Sequence, residues 1–235
     1  MALRRFAVES VSMERLAQRC HVVIIAVKPQ DLGPALESLR RAFATRSRRV
    51  LVMSIAAGVR LASLERRLGR GVSVIRVMPN LPATVGCGMS ALARGRAAAA
   101  SDMAVAKAIF RCVGDVVELP ERLFDVVTAI SGSGPAYVFL ILQALCDAGR
   151  RGGLPKSVAQ QLAMRTAKGS AELALQSGET LEVLIARVAS KKGTTEAALK
   201  VFARRGLARI IREGVSAAVR RSRQLSKGTQ TNLRK

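Results

Sequence analysis

Three short runs carry residue types suited to a flat, charged ligand: Ala26-Val27-Lys28-Pro29, Ser54-Ile55-Ala56-Ala57-Gly58 and Met78-Pro79-Asn80. Small side chains at Ala26, Ala56 and Ala57 let a ligand approach the backbone, Lys28 adds a cation, and Asn80 adds an amide. Proline stiffens the first and third runs. Each one taken alone also reads as an ordinary turn after a strand. Two more runs lie in the second half of the chain. Ser131-Gly132-Ser133-Gly134-Pro135 can form a backbone nest for an anion, or simply let two helices pack closely at glycine. Gly193-Thr194-Thr195-Glu196 opens a helical pattern, so its free N–H groups and threonine hydroxyls form a ready carboxylate site. The plainer reading there is an N-cap with a glutamate favourably placed in the first turn.

The elements that position these runs follow from hydrophobic periodicity. Apolar runs at 22–27, 50–55 and 72–77 alternate with helical patterns at 31–44 and 61–68. Continuous apolar strands separated by helices imply βαβ crossovers and a parallel sheet buried on both faces. The three ligand-type runs then lie at the carboxyl edge of that sheet, where open α/β folds bind ligands, and share one crevice. A short strand at 89–93, a helix at 99–112 and a strand at 113–119 complete this half. From Glu121 onward the period becomes 3.6 residues. Helices are expected near 121–130, 135–151, 155–176, 180–188, 195–204 and 208–225, with Pro135 and Pro155 at first turns. Residues 226–235 lack apolar periodicity and read as a frayed tail. The expected domains are 1–120 and 121–235, an α/β part followed by an all-α part.

Composition narrows the function classes. The chain has 235 residues, 49% of them hydrophobic, enough to bury a substantial core. No apolar run reads as long as the ~20 residues that cross a bilayer, so no membrane partner is expected. Cys20, Cys87, Cys112 and Cys146 are widely spaced, and with one histidine no zinc cluster is expected. Reduced thiols in a cytoplasmic chain are the matching expectation. Residues 1–20 hold four arginines among apolar residues, as a transit peptide does, but Glu9 and Glu14 are atypical of one. The net charge of +23 attracts anions and nucleic acid nonspecifically. Its basic residues are spread as pairs such as Arg66-Arg67 and Arg220-Arg221, and aromatic residues are only 3% of the chain, too few for a stacking platform. Arginine-rich solvated helix faces, without a specific nucleic-acid partner, are the expectation.

The ordered runs, together with 128–139 (Thr-Ala-Ile-Ser-Gly-Ser-Gly-Pro-Ala-Tyr-Val-Phe), Asp147-Ala148-Gly149 and Gly153-Leu154-Pro155, resemble pyrroline-5-carboxylate reductase from Phe6 to about Leu225. That resemblance implies an oxidoreductase acting on a C=N bond, which transfers hydride from NADP(H) or NAD(H) to the cyclic imine 1-pyrroline-5-carboxylate and gives L-proline. It implies a helical C-terminal dimerisation domain, a homodimer or larger ring, and a substrate site between subunits. By position it assigns Ala26, Val27, Lys28, Pro29, Ile55, Ala56 and Ala57 to the cofactor. Gly193, Thr194 and Thr195 are assigned to the substrate carboxylate, with the Thr195 hydroxyl near the ring nitrogen as the catalytic candidate; no metal is implied. Hydride addition to a protonated imine depends mainly on positioning, so no histidine base is required.

The chain departs from the family pattern in two places. Lys191 and Lys192 stand where the substrate loop usually reads Pro-Gly, which removes a φ restraint and a permissive backbone position while adding two ammonium groups. The family's first strand, its Gly-x-Gly turn and helix, and its second strand precede the region that begins here near Phe6. The expected fold is therefore an N-terminally truncated Rossmann-like parallel sheet followed by the helical domain. Strand 22–27 would lie at an open edge, and the pyrophosphate turn would be missing. An inactive truncated homologue that serves as a dimeric helical scaffold is the alternative to an active reductase. A start lying upstream of Met1 would make the chain part of an ordinary reductase.

Overall fold

The computed structural model describes residues 8–28, 31–44, 46 and 48–232. Val- and Ile-rich runs form a five-stranded sheet in chain order, β1 (Val22–Ile25), β2 (Leu51–Ser54), β3 (Ser73–Met78), β4 (Gly88–Arg94) and β5 (Gly114–Glu118). Strands β1, β2 and β3 are parallel, β4 runs antiparallel to β3, and β5 is parallel to β4. The wholly parallel sheet expected from sequence is thus corrected at one joint. A parallel return needs a crossover of a dozen or more residues. Between Met78 and Gly88 the chain holds only the 3-10 turn Leu81–Val85, closed by Gly86 in the left-handed region at φ 74°.

Helices cover both faces of the sheet. On one face, Val23, Ile25, Val52 and Val74 pack with Leu36 and Leu39 of α2 (Leu32–Ala44) and Leu64 of α3 (Leu61–Leu68). On the other, Met53, Ile75, Val77 and Leu92 pack with Met103, Ala106 and Phe110 of α4 (Ala100–Arg111). This two-sided burial is why these strands read as continuous apolar runs. Among the described residues β1 pairs only with β2, as an edge, and its Ile24 is 45% exposed. Helix α1 (Met13–Arg19), unforeseen in the arginine-rich start, is capped by Ser12, whose Oγ accepts from Arg15 N–H at 3.3 Å. Its Ala17 joins the first core, and Arg46 bonds the carbonyls of Ala17 and Cys20 at the far end.

The helical half begins with a 3-10 turn, Glu121–Leu123, then α5 (Phe124–Val127), a π-helical turn, Thr128–Gly132, and α6 (Gly134–Arg151). Helix α7 (Lys156–Ser177), α8 (Leu181–Val188), α9 (Thr194–Arg204) and α10 (Leu207–Asn232) follow. Two expectations fall here. The Ser131–Pro135 motif holds only a one-residue bend, Ser133, between the π turn and α6: Ser133 N–H bonds Thr128 O at 2.8 Å across the π turn. The run Glu121–Arg151, helical but for that bend, spans 31 residues, is long and apolar enough by length and composition to cross a membrane, and is little buried within the chain. The frayed tail expected at 226–235 is corrected as far as Asn232, to which α10 continues; 233–235 lie outside the described residues. Just before that extension Ser222 Oγ donates to Asp125 Oδ1 at 2.7 Å, and Ser226 at its start is buried.

Contacts group the chain into 1–133 with 217–235, and 134–216. This grouping differs from a division after residue 120, because Phe124 belongs to the first sheet core and the end of α10 bonds α5. Within 134–216 the only buried apolar side chains among the described residues are Ala159 and Ala163. Val138, Phe139, Leu140, Ile141 and Leu145 of α6 are exposed.

Candidate functional site

Parallel pairing aligns the carboxyl ends of β1, β2 and β3, so the loops after them emerge side by side. Ile55 N–H donates to Ile25 O at 3.1 Å, which ties the loop after β2 to the start of the loop after β1. Ala26, Val27 and Lys28 are exposed, and Pro29 lies outside the described residues. Ile55 is half-buried, Ala56 is buried with its N–H directed at Ser54 Oγ (3.4 Å), and Ala57 is exposed. Gly58 takes φ 76°, a conformation that suits glycine, and turns the chain into α3. The exposed, small Ala26 and Ala57 leave room for a flat dinucleotide to approach the loops after β1 and β2, so these positions fit that group.

The third loop is locked by Asn80. Its Oδ1 accepts from Met89 N–H at 2.9 Å and its Nδ2 donates to Ser131 Oγ at 3.2 Å, joining the end of β3, the start of β4 and the π turn. Met78 lies against Gly132, where a Cβ would come within 2.8 Å of its methyl carbon. Ser131 and Gly132 thus form a close-packed junction with the third strand end. A cavity of about 320 Å³ opens beside Ala57 and Gly58, lined also by Thr128, Ser133, Arg221 and Ser222. Sequence reasoning missed Arg221 and Ser222, because no local signal in α10 announces that this stretch lines a cavity beside Ala57 and Gly58.

Below the crevice, Arg76 is a buried cation on β3. Its Nη1 bonds Glu121 Oε1 at 2.9 Å and its guanidinium lies 4.7 Å from the Phe124 ring centroid. The same Glu121 oxygen accepts Leu61 N–H at 2.7 Å, satisfying an orphan donor at the start of α3. Glu121 therefore fixes β3 and α3 together.

The other predicted residues lie in the helical unit. Gly193 is the N-cap of α9, with its N–H bonded to Ser190 O at 2.9 Å; a Cβ there would sit 2.4 Å from Ser190 Oγ. Thr194, Thr195 and Glu196 form the first turn, whose N–H groups point out of the helix as a ready anion acceptor. Thr194 is exposed and Thr195 half-buried. Lys192 has φ 62°, the only non-glycine in the left-handed region among the described residues. Glu196 Oε2 accepts Lys192 N–H at 2.5 Å, and its Oε1 pairs with Lys200 Nζ at 3.0 Å. Lys200, then the Lys192 N–H, hold the Glu196 carboxyl below the usual glutamate range. Among the described residues no group of three or more His, Cys, Asp or Glu could hold a metal ion.

Comparison with known proteins bears on this arrangement. Residues 121–225 match the family described as pyrroline-5-carboxylate reductase dimerisation. A pyrroline-5-carboxylate reductase of Synechocystis is 45% identical over 214 residues, covering 91% of this chain and 78% of that protein. One from Arabidopsis thaliana is 38% identical over 213 residues, covering 91% and 76%. The Coxiella burnetii pyrroline-5-carboxylate reductase structure superposes with a TM-score of 0.88 at 33% identity, covering 95% of this chain and 83% of that one. The Plasmodium falciparum pyrroline carboxylate reductase, solved with NADP bound, gives 0.83 at 30% identity, covering 92% and 81%.

Proposed function

The chain belongs to the pyrroline-5-carboxylate reductase family, and we propose that it reduces 1-pyrroline-5-carboxylate to L-proline as an NAD(P)H-dependent oxidoreductase. The observation that carries this reading beyond kinship is the alignment of small, accessible loops at the ends of β1 and β2. On this reading Ala26, Val27, Lys28, Pro29, Ile55, Ala56 and Ala57 contact the nicotinamide half of the cofactor. When bound, the cofactor supplies the hydride. The N–H groups at Gly193, Thr194 and Thr195 hold the substrate carboxylate, since a helix N-terminus favours an anion. The Thr195 hydroxyl accepts from the N–H of the protonated ring, fixing the imine carbon for attack. Orientation of this kind supplies much of the rate in a reaction with no demanding proton transfer. The surplus of positive charge draws both the phosphate-bearing cofactor and the carboxylate substrate toward the protein.

The same reading makes the chain a homodimer, with 1–120 a cofactor domain and 121–235 a substrate and dimerisation domain. Support comes from the exposed apolar residues of α6 inside the segment matched to the dimerisation family. A second subunit, rather than lipid, covers the 121–151 helix, and the cytoplasm is the proposed location. The test is oxidation of NADPH and of NADH by the purified protein with 1-pyrroline-5-carboxylate, followed by loss of reduced-nicotinamide absorbance. Turnover with L-proline as product is expected; folded dimer that binds neither dinucleotide nor L-proline refutes the reading.

A further inference from the structure

Lys192 is a lysine in a backbone conformation that costs an L residue conformational energy and is routinely taken only by glycine. What holds it there is visible one turn ahead. Glu196, the third residue of α9, reaches back past the N-cap, and its Oε2 accepts the Lys192 N–H at 2.5 Å. In the usual capping box such a glutamate bonds the N-cap N–H itself. Here that N–H is already taken, since Gly193 donates to Ser190 O at 2.9 Å. The carboxylate therefore moves one residue further back, and Lys200 holds its other oxygen at 3.0 Å. Both oxygens are drawn away from the first-turn N–H groups of α9. A glutamate at this position could otherwise fold onto those donors and oppose an incoming carboxylate by charge and by occupancy.

We infer that Glu196 is a positioning residue for the substrate loop: it clips the left-handed turn at Lys192 and keeps the N–H groups of Thr194 and Thr195 open for the substrate carboxylate. This role rests on the carboxylate assignment proposed above. It also explains how Lys192 is tolerated where the resembled family has glycine, because the clip supplies what glycine would have supplied by itself.

The test uses the full chain with two readouts, L-proline affinity by calorimetry and exchange of the Lys192 amide by NMR. Glu196→Ala is expected to weaken L-proline binding about fivefold and to speed Lys192 amide exchange by about tenfold, in line with the loss of a charge-assisted hydrogen bond. Glu196→Gln, which keeps an acceptor but loses the Lys200 charge pair, falls between. Adding Lys192→Gly to Glu196→Ala restores binding to within about twofold, because glycine adopts the turn without the clip. A Glu196→Ala variant that binds L-proline and exchanges the Lys192 amide like the parent overturns the inference, as does failure of glycine to restore binding. The carboxylate assignment is tested separately by Thr194→Pro, which removes one N–H at a helix position where proline is well accommodated. Unchanged L-proline binding in that variant refutes the assignment, whereas a loss there beside an inert Glu196→Ala refutes only the positioning role. Amide exchange needs no ligand and judges the clip on its own.

Discussion

Removing the Glu121 carboxylate with Glu121→Ala strands two donors at once. The Arg76 side chain is 5% exposed and among the described residues keeps the Phe124 ring, 4.7 Å away, as its partner. The Leu61 N–H, bonded at 2.7 Å, loses its acceptor at the start of α3. Breaking a buried ion pair by deleting one member costs about 3–5 kcal/mol, chiefly the cost of the charge left behind. Glu121 is 26% exposed, so water partly replaces it and the lower end, about 3 kcal/mol, applies. Loss of the helix-start acceptor adds about 1 kcal/mol. A total near 4 kcal/mol corresponds to a fall in melting temperature of about 8–16 °C for a chain of this size. The assay is calorimetric or circular-dichroism melting of the parent, Glu121→Ala, and Glu121→Ala with Arg76→Met. The double variant removes the orphaned cation and should recover all but about 1–2 kcal/mol, because an apolar chain of similar volume tolerates the site. A single variant within about 0.5 kcal/mol of the parent, or a double variant no better than the single, would show that the pair does not anchor β3 to α3.

Gly114→Ala should be among the most damaging substitutions in the sheet, since at φ 142° its Cβ would lie 2.0 Å from the Gly88 carbonyl oxygen, a backbone atom that cannot swing aside. A loss of at least about 3 kcal/mol and faster amide exchange across β4 and β5 are expected, and near-parental melting would contradict the close approach. For Glu196 the folded carboxyl titrates below its unfolded range, so its contribution is present above that range and is lost as pH falls through the lowered folded value. Protection of the Lys192 amide should thus persist from neutral pH into the ordinary glutamate range and disappear only below it; loss nearer neutrality would contradict the clip. Binding to random-sequence DNA, followed by fluorescence anisotropy, should show no sequence preference and vanish by moderate salt, whereas tight sequence-specific binding at physiological salt would give the +23 charge a purpose of its own.

Much of this architecture was legible in the order of residues, and the limits are instructive. Runs such as 50–55 and 72–77 can bury both faces only as inner strands of a covered sheet, and proline or glycine marks the starts of α6, α7 and α9. Local chemistry also placed Gly193 at a helix start and the Ala26 and Ala56 loops at strand ends. The antiparallel turn of β4 was not legible, since it depends on how short a path joins Met78 to Gly88. Nor was the passage of helix through Ser131 and Gly132, which a motif rich in glycine and serine argues against until a π turn absorbs it.

The sequence by itself determined the alternation of strands and helices, the ancestry carried by its ordered motifs, and the residue types available to cofactor and substrate. Tertiary structure alone decided which distant groups meet. Arg76 finds Glu121 across 45 residues, Asn80 finds Ser131 across 51, and Ser222 finds Asp125 across 97. Each of these bonds is between side chains whose local pattern would serve equally well at a solvated surface. The partner is selected by the path of the backbone and by the cost of leaving a polar group buried without one.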